Sequence, residues 1–251
     1  MNETSLTIPR IVAAETLDAL AEDDPAAQRS RRDLRRVHLI MGTRSILRQA
    51  LHDLVDSREL KYPLQVLELG AGDGSLMLGV AQTLVPIWSQ VELTLLDRQN
   101  LIEKDTIAKY AEIGWAVVSQ VIDVLDWASG TTDSILKDTS TKWDLIVVNL
   151  FLHHFEHKQL ESLLDAISKR TNLFFACEPK RAWLPLIGSH LIGAIGANKV
   201  TREDAVLSVH AGFRGAELAA LWPSHSVEWR LKEYSANLFS HCFSAERLEL
   251  I

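Results

Sequence analysis

Over the first sixty residues the apolar positions recur at three- and four-residue intervals. Leu34, Val37, Ile40, Met41, Ile46, Leu47, Leu51, Leu54 and Val55 share that spacing. It predicts helices over 15–20 and from about 28 to about 60, with Gly42 as a break. From Tyr62 onward the pattern changes. Short apolar runs at 64–69, 91–97, 116–122, 143–150 and 173–177 read as strands. The amphipathic stretches between them, 75–84, 100–113 and 157–170, read as helices, so the middle of the chain is predicted to form βαβ units around a parallel sheet. Residues 180–222 read as mostly helical, with a helix at 215–221 and a capping segment at 201–204. The end of the chain, 227–231 and 238–243 around a polar loop at 232–237, reads as a hairpin.

Composition narrows the function classes. The chain has 251 residues, 47% of them hydrophobic and 24% charged, enough to bury its own core. The net charge of −7 gives no overall basic footprint and disfavours nucleic acid as a partner. Arg29, Arg31, Arg32, Arg35 and Arg36 form a local exception, read either as a solvated helix face or as a contact for a polyanion or partner. Cys177 and Cys242, far apart in sequence, fit reduced packing residues. The start lacks a signal-peptide pattern and no apolar run approaches a membrane span, so a cytoplasmic, non-membrane protein is expected.

The most informative segment is Glu68-Leu69-Gly70-Ala71-Gly72-Asp73-Gly74, which follows the first strand and opens a helix. Glycine there permits a tight turn and close approach of a ligand to the backbone. The helix start behind it offers free N–H groups. Asp97, at the end of the second strand, stands where a ribose diol is gripped. A nicotinamide-binding dehydrogenase predicts the same acid. Against it stand the G-x-G-x-G spacing and Glu68, whose charge would repel a pyrophosphate but suits an ammonium group.

These residues resemble the first motif of the class I S-adenosylmethionine-dependent methyltransferases. Asp97 matches that family's acid after strand two, and Asp123 matches the position near the adenine amino group. The run from Trp143 through Asn149 to His153, His154 and Phe155 is similar to the family's fourth strand and the histidines that often follow it. Ala211-Gly212-Phe213 resembles the step before the sixth strand. The resemblance implies a Rossmann-like α/β fold: a seven-stranded, mostly parallel sheet with helices on both faces and an antiparallel last hairpin. Residues 1–60 would form an N-terminal helical cap, and 61–251 the methyltransferase core with a helical insert at about 180–222. It implies S-adenosyl-L-methionine as cofactor, held by Glu68, Gly70, Ala71, Gly72, Asp97, Asp123 and Asn149.

The expected reaction is methyl transfer to a small-molecule acceptor, a hydroxyl of an aromatic or polyketide-like compound, as in natural-product biosynthesis. Loss of the hydroxyl proton calls for a base, and His153 and His154 are the candidates. Glu178, Arg181 and His241 are expected to meet the substrate, and Trp183, Trp222, Trp229 and Phe213 to line an aromatic pocket. The string His153-His154-Phe155-Glu156-His157 places two histidines four apart, but without a third ligand it predicts no metal. The alternatives are an RNA or protein methyltransferase and a non-catalytic cofactor-binding subunit. The sequence after strand four, Asn149-Leu150-Phe151-Leu152, lacks the N/D-P-P-Y/F tetrad of enzymes acting on planar amino nitrogens. A homodimer is left open.

Overall fold

The computed structural model describes residues 8–56, 62–131, 142–223 and 228–248. Helices α1 (Thr16–Ala19), α2 (Pro25–Met41) and α3 (Thr43–Asp56) come first. Then β1 (Leu64–Leu69), α4 (Ser75–Leu84), β2 (Val91–Asp97), α5 (Lys104–Glu112), β3 (Trp115–Val121), α6 (Val124–Ser129), β4 (Trp143–Asn149), α7 (His157–Arg170) and β5 (Thr171–Pro179) alternate. Helices α8 (Trp183–Leu191), α9 (Lys199–Ala211) and α10 (Glu217–Leu221) precede the hairpin of β6 (Trp229–Ser235) and β7 (Ser240–Arg247).

The seven strands order as β3-β2-β1-β4-β5-β7-β6. The first five run parallel, and β7 is antiparallel to both β5 and β6. The order reverses between β1 and β4, where the crevice of such sheets lies. Buried strands such as Leu145–Val148 are near-continuous apolar runs because helices cover both faces. One cluster joins the sheet to α3 and α4 through Leu47, Leu51, Val80 and Trp88. The other joins it to α7 and α10 through Leu160, Leu164, Leu218 and Trp222.

Several boundaries differ from the sequence expectation, each for a local reason. Asp24 caps α2 by accepting from Ala26 N and Ala27 N, and Pro25 takes the first helical position, so the helix starts before residue 28. Gly42, at φ +65°, separates α2 from α3. Residues 57–60, expected to be helical, lie outside the described residues. Residues 201–204 lie inside α9, because Asn198 caps it by accepting from Thr201 N at 2.8 Å. Helix α6, unpredicted, is capped by Asp123. Strand β6 runs through 232–235, most of the expected loop; Val227 lies outside the described residues. The segment ahead of residue 61 divides. Helix α3 belongs to the sheet's helical layer, while residues 12–19 and α2 wall a cavity.

The apolar spacing in α2 does not mark its buried face. Ala27, Ser30 and Asp33 are buried, while Leu39 and Ile40 are 82% and 58% exposed. Asp33 accepts from Asn198 N at 2.8 Å and Ser30 bonds Thr201 at 2.7 Å, so polar contacts to α9 orient the helix.

Candidate active site

A cavity of about 1000 Å³ opens over the carboxyl ends of β1, β2 and β4. It gathers Glu68, Gly70, Ala71, Gly72, Asp97, Asp123, Asn149, His153 and His154, all expected from the sequence. Its size stands at the top of the usual range for a small-molecule site.

The glycine loop is held from three sides. Gly70, Gly72 and Gly74 have φ of +71°, +56° and +71°. A Cβ at Gly70 would stand 2.5 Å from the Phe151 ring, so both torsion and space demand glycine there. Asp97 accepts from Gly72 N at 2.8 Å and from Gln99 N at 2.9 Å, organising the loop from the end of β2. Asp73 caps Ser75 N at 2.9 Å and pairs with Arg35 of α2 at 2.6 Å. Tyr110 donates to Gly74 O at 2.9 Å from beneath.

Two polar atoms in this wall lack partners. Glu68 Oε2 and Asn149 Oδ1 are buried without a hydrogen bond. Burial, and then the charges of Asp97 and Asp73, push the Glu68 carboxyl up to about 8. Buried acceptors are expensive to leave unmatched. An ammonium group would satisfy both, and the amino-acid end of S-adenosylmethionine carries one. At the next residue, Leu150 holds φ +48°, a left-handed turn that delivers Phe151 and the histidines to the cavity.

At the β4–β5 end, Glu178 is fully buried. One of its oxygens accepts from Phe151 N at 3.0 Å and Leu152 N at 2.9 Å; the other meets His153 Nδ1 at 2.8 Å. His153 Nε2 faces Glu15 at 3.3 Å. Burial opposes charge on His153, but the bonds to Glu15 and Glu178 outweigh it and raise the imidazole to about 9. Both ring nitrogens are therefore donors at neutral pH, and no lone pair remains to accept a proton. His154 differs. Burial and the charge of His153 lower its pKa, and its Nδ1 lies 3.4 Å from Asp18.

Three expected substrate residues do not line the cavity. Glu178 is consumed in closing the turn after β4. Arg181, 4% exposed, donates to Ile8 O at 3.0 Å, to Gly212 O and to Glu217. His241 bonds Glu233 at 2.6 Å across the β6–β7 hairpin, and Glu233 also accepts from Ala219 N at the start of α10. The expected aromatic pocket is likewise absent from the cavity. Trp222 packs with Phe174, Phe243 and Trp229, Phe213 lies under Arg10, and Trp183 is half-exposed.

The residue missed in the sequence is Glu15. It joins His153 and Ser208, and with His153 and His154 it brings possible metal-ligand atoms within 4.8 Å of one another. His157, the partner weighed earlier, instead pairs with Glu161 on the surface of α7. No local signal marks Glu15, because its partner is 138 residues away.

The family described as lysine methyltransferase matches residues 41–183, more than half of the chain, including the glycine loop, Asp97 and the run from Asn149 to His154. The chain belongs to this family. No curated protein matches it. Among solved structures, the methyltransferase is similar to magnesium protoporphyrin IX methyltransferase from Synechocystis PCC 6803 with bound S-adenosylhomocysteine. That match has 14% identity, covers 92% of this chain and 91% of the other, and has a TM-score of 0.52. An O-methyltransferase family protein from Burkholderia thailandensis gives 12% identity, coverage of 89% and 60%, and 0.54. The DszA carbon methyltransferase gives 17%, 82% and 53%, and 0.54. These likenesses carry the fold. It is the class I methyltransferase fold, and the cofactor is S-adenosylmethionine.

Proposed function

We propose that this methyltransferase acts on a hydroxyl of an aromatic or polyketide-like small molecule, with His154 as the proton acceptor. The observation that carries this reading is the division of labour between adjacent histidines. His153 is locked between two carboxylates, whereas His154 stays neutral in the cavity wall. With Nδ1 on the side of Asp18, 3.4 Å from its carboxylate, His154 has Nε2 as the nitrogen to take a substrate proton. Bound S-adenosylmethionine supplies the electrophilic methyl group. Gly70, Ala71, Gly72, Asp97 and Asp123 would hold it, with Glu68 and Asn149 receiving its ammonium. Phe151, Phe155 and Leu34 give the cavity apolar surface for an aromatic acceptor. Residues 12–19 and Ser208 wall the cavity opposite the sheet, which suits a small ligand better than a polypeptide.

A second reading is methylation of a protein lysine, favoured by the family match over 41–183. Radiolabelled S-adenosylmethionine, offered with a panel of phenols and separately with cell extract, separates the two. Label in an organic-extractable product that His154→Ala fails to form supports the small-molecule reading. Label confined to lysine side chains of extract proteins overturns it.

A further inference from the structure

The surface of the methyltransferase is polarised in a way that catalysis does not explain. Between residues 28 and 48 stand seven arginines against one acid, Asp33, and that acid is buried. Residues 180–202 hold no acid, and of their four Lys or Arg, Lys199 and Arg202 are exposed, Lys180 is half-buried and Arg181 is buried against Glu217. The whole chain nevertheless carries −7, so the remainder is strongly acidic.

Large apolar side chains are exposed in the same two stretches. Leu39 and Ile40 end α2 at 82% and 58% exposure, and Leu184, Ile187 and Leu191 line the outer face of α8 at 61%, 54% and 63%. Helix α8 is inverted relative to an ordinary core helix. It buries Pro185 and Ser189 and turns its aliphatic residues to solvent. The turn between β6 and β7 joins the two patches. Asn237 donates to Met41 O at 2.6 Å at the end of α2, and the Phe239 ring packs on Gly188 of α8. Leu238, 58% exposed, lies between these anchors. On α2, Arg32 and Arg36 precede Leu39 by seven and three residues and so share its face.

We propose that this face docks on an anionic phospholipid bilayer, with aliphatic side chains entering the headgroup boundary and arginines meeting lipid phosphates. Outward aliphatic side chains on α8 and at the end of α2, with exposed Arg29, Arg32 and Arg36 on α2 and Lys199 and Arg202 on α9, are the chemistry of an interfacial element. A symmetric contact with a second copy would oppose like charges. A nucleic acid would leave the aliphatic groups without a counterpart. No described helix is long and apolar enough to cross a membrane, so the contact is peripheral. Helix α2 also lines the cavity through Arg31, Leu34, Arg35 and His38. An amphiphilic acceptor could therefore pass from the bilayer to the cavity along one helix, a corollary that rests on the small-molecule reading above.

The test is flotation of the full chain, without cofactor or acceptor, on vesicles of equal parts phosphatidylglycerol and phosphatidylcholine, with pure phosphatidylcholine as control. Its outcome is independent of the reaction catalysed. Recruitment to the anionic vesicles alone is expected, weakened as salt rises from ~0.1 to ~1 M. Arg29→Glu with Arg32→Glu should weaken it about fivefold per site. Leu184→Ser, Ile187→Ser and Leu191→Ser together should weaken it about tenfold or more. Each variant is checked for retained S-adenosylmethionine binding and an unchanged melting temperature; Leu238→Ser replaces the triple change if that one misfolds. Absence of recruitment overturns the proposal. So does binding lost with the arginines but indifferent to the aliphatic changes, which marks a general polyanion face. A dimer in light scattering that the serine variant dissociates, without vesicle binding, assigns the face to a second copy and also overturns it.

Discussion

The two ends of the crevice are built on different principles. The end over β1 and β2, proposed to hold the cofactor, centres on one contiguous loop. Gly70, Gly72 and Gly74 shape a loop whose amides are held by Asp97, 25 residues from Gly72. The other end, over β4, where the acceptor is proposed to bind, is made from side chains of remote segments, Glu15, His153, His154 and Ser208, with Glu178 behind His153. Main-chain geometry defines the first, and charge pairing defines the second. A ligand common to a whole family can be met by backbone, whereas the ligand that distinguishes its members is met by exchangeable side chains.

The sharpest way to break this contrast is Gly70→Val. Its Cβ would strike Phe151 and its φ is left-handed, so S-adenosylmethionine affinity should fall by more than ~100-fold in calorimetric titration. Wild-type affinity would show that the loop does not need its glycine. At the other end, His154→Ala should lower turnover by about 10²–10⁴ while leaving cofactor affinity unchanged. Because burial lowers the His154 pKa, the acid limb of the wild-type rate profile should lie below the ordinary histidine value of 6.5. A loss of cofactor affinity equal to the loss of rate would merge the two ends into one site.

Asp97→Ala should weaken cofactor binding about 10- to 100-fold and also lower the melting temperature, because the Gly72 and Gln99 amides lose their acceptor. For His153 the expected effect is on stability. Its folded pKa, about 9, exceeds the ordinary 6.5, so the pairing contributes fully below pH 6.5 and is lost as pH rises through about 9. Wild type should lose on the order of 2–3 kcal/mol across that window in chemical denaturation, and His153→Gln should not. A flat difference between the two would mean His153 is not charged in the folded protein. The smallest effect is a proton count. Glu68, raised to about 8, should release a fraction of a proton near pH 7 when an ammonium group binds beside it. Binding enthalpies that vary with buffer ionisation heat would reveal it, and identical enthalpies would place the ammonium elsewhere.

The legible parts follow the same division. The strands from β1 to β5 and the loop at 70–74 were readable because apolar runs and positive-φ glycines leave local marks. His153 and His154 were readable as a pair, but not as opposites; only Glu15 and Glu178 on one ring and Asp18 beside the other tell them apart. Glu178, Arg181 and His241 lie near the right edge of the sheet in sequence, yet each side chain is spent on partners inside the fold. The spacing of Leu34, Val37, Ile40 and Met41 marked α2 as a helix but not which face of it is buried: Ile40 is exposed and its neighbour Leu39 more so. That exposure depends on Asp33 and Ser30 pairing with α9, which periodicity cannot register.

The anchoring of residues 8–17 also sets an order of events during synthesis. Ile8 O is held by Arg181, Arg10 donates to Ala211 O, and Asp204 caps Thr16 and Leu17, so these residues bind partners about 170–200 positions later. At roughly 5–20 residues per second, this segment waits some ten seconds or more at the ribosome before its partners emerge. The front wall of the cavity is thus completed only after the five parallel strands have been made, and before the β6–β7 hairpin that finishes the sheet.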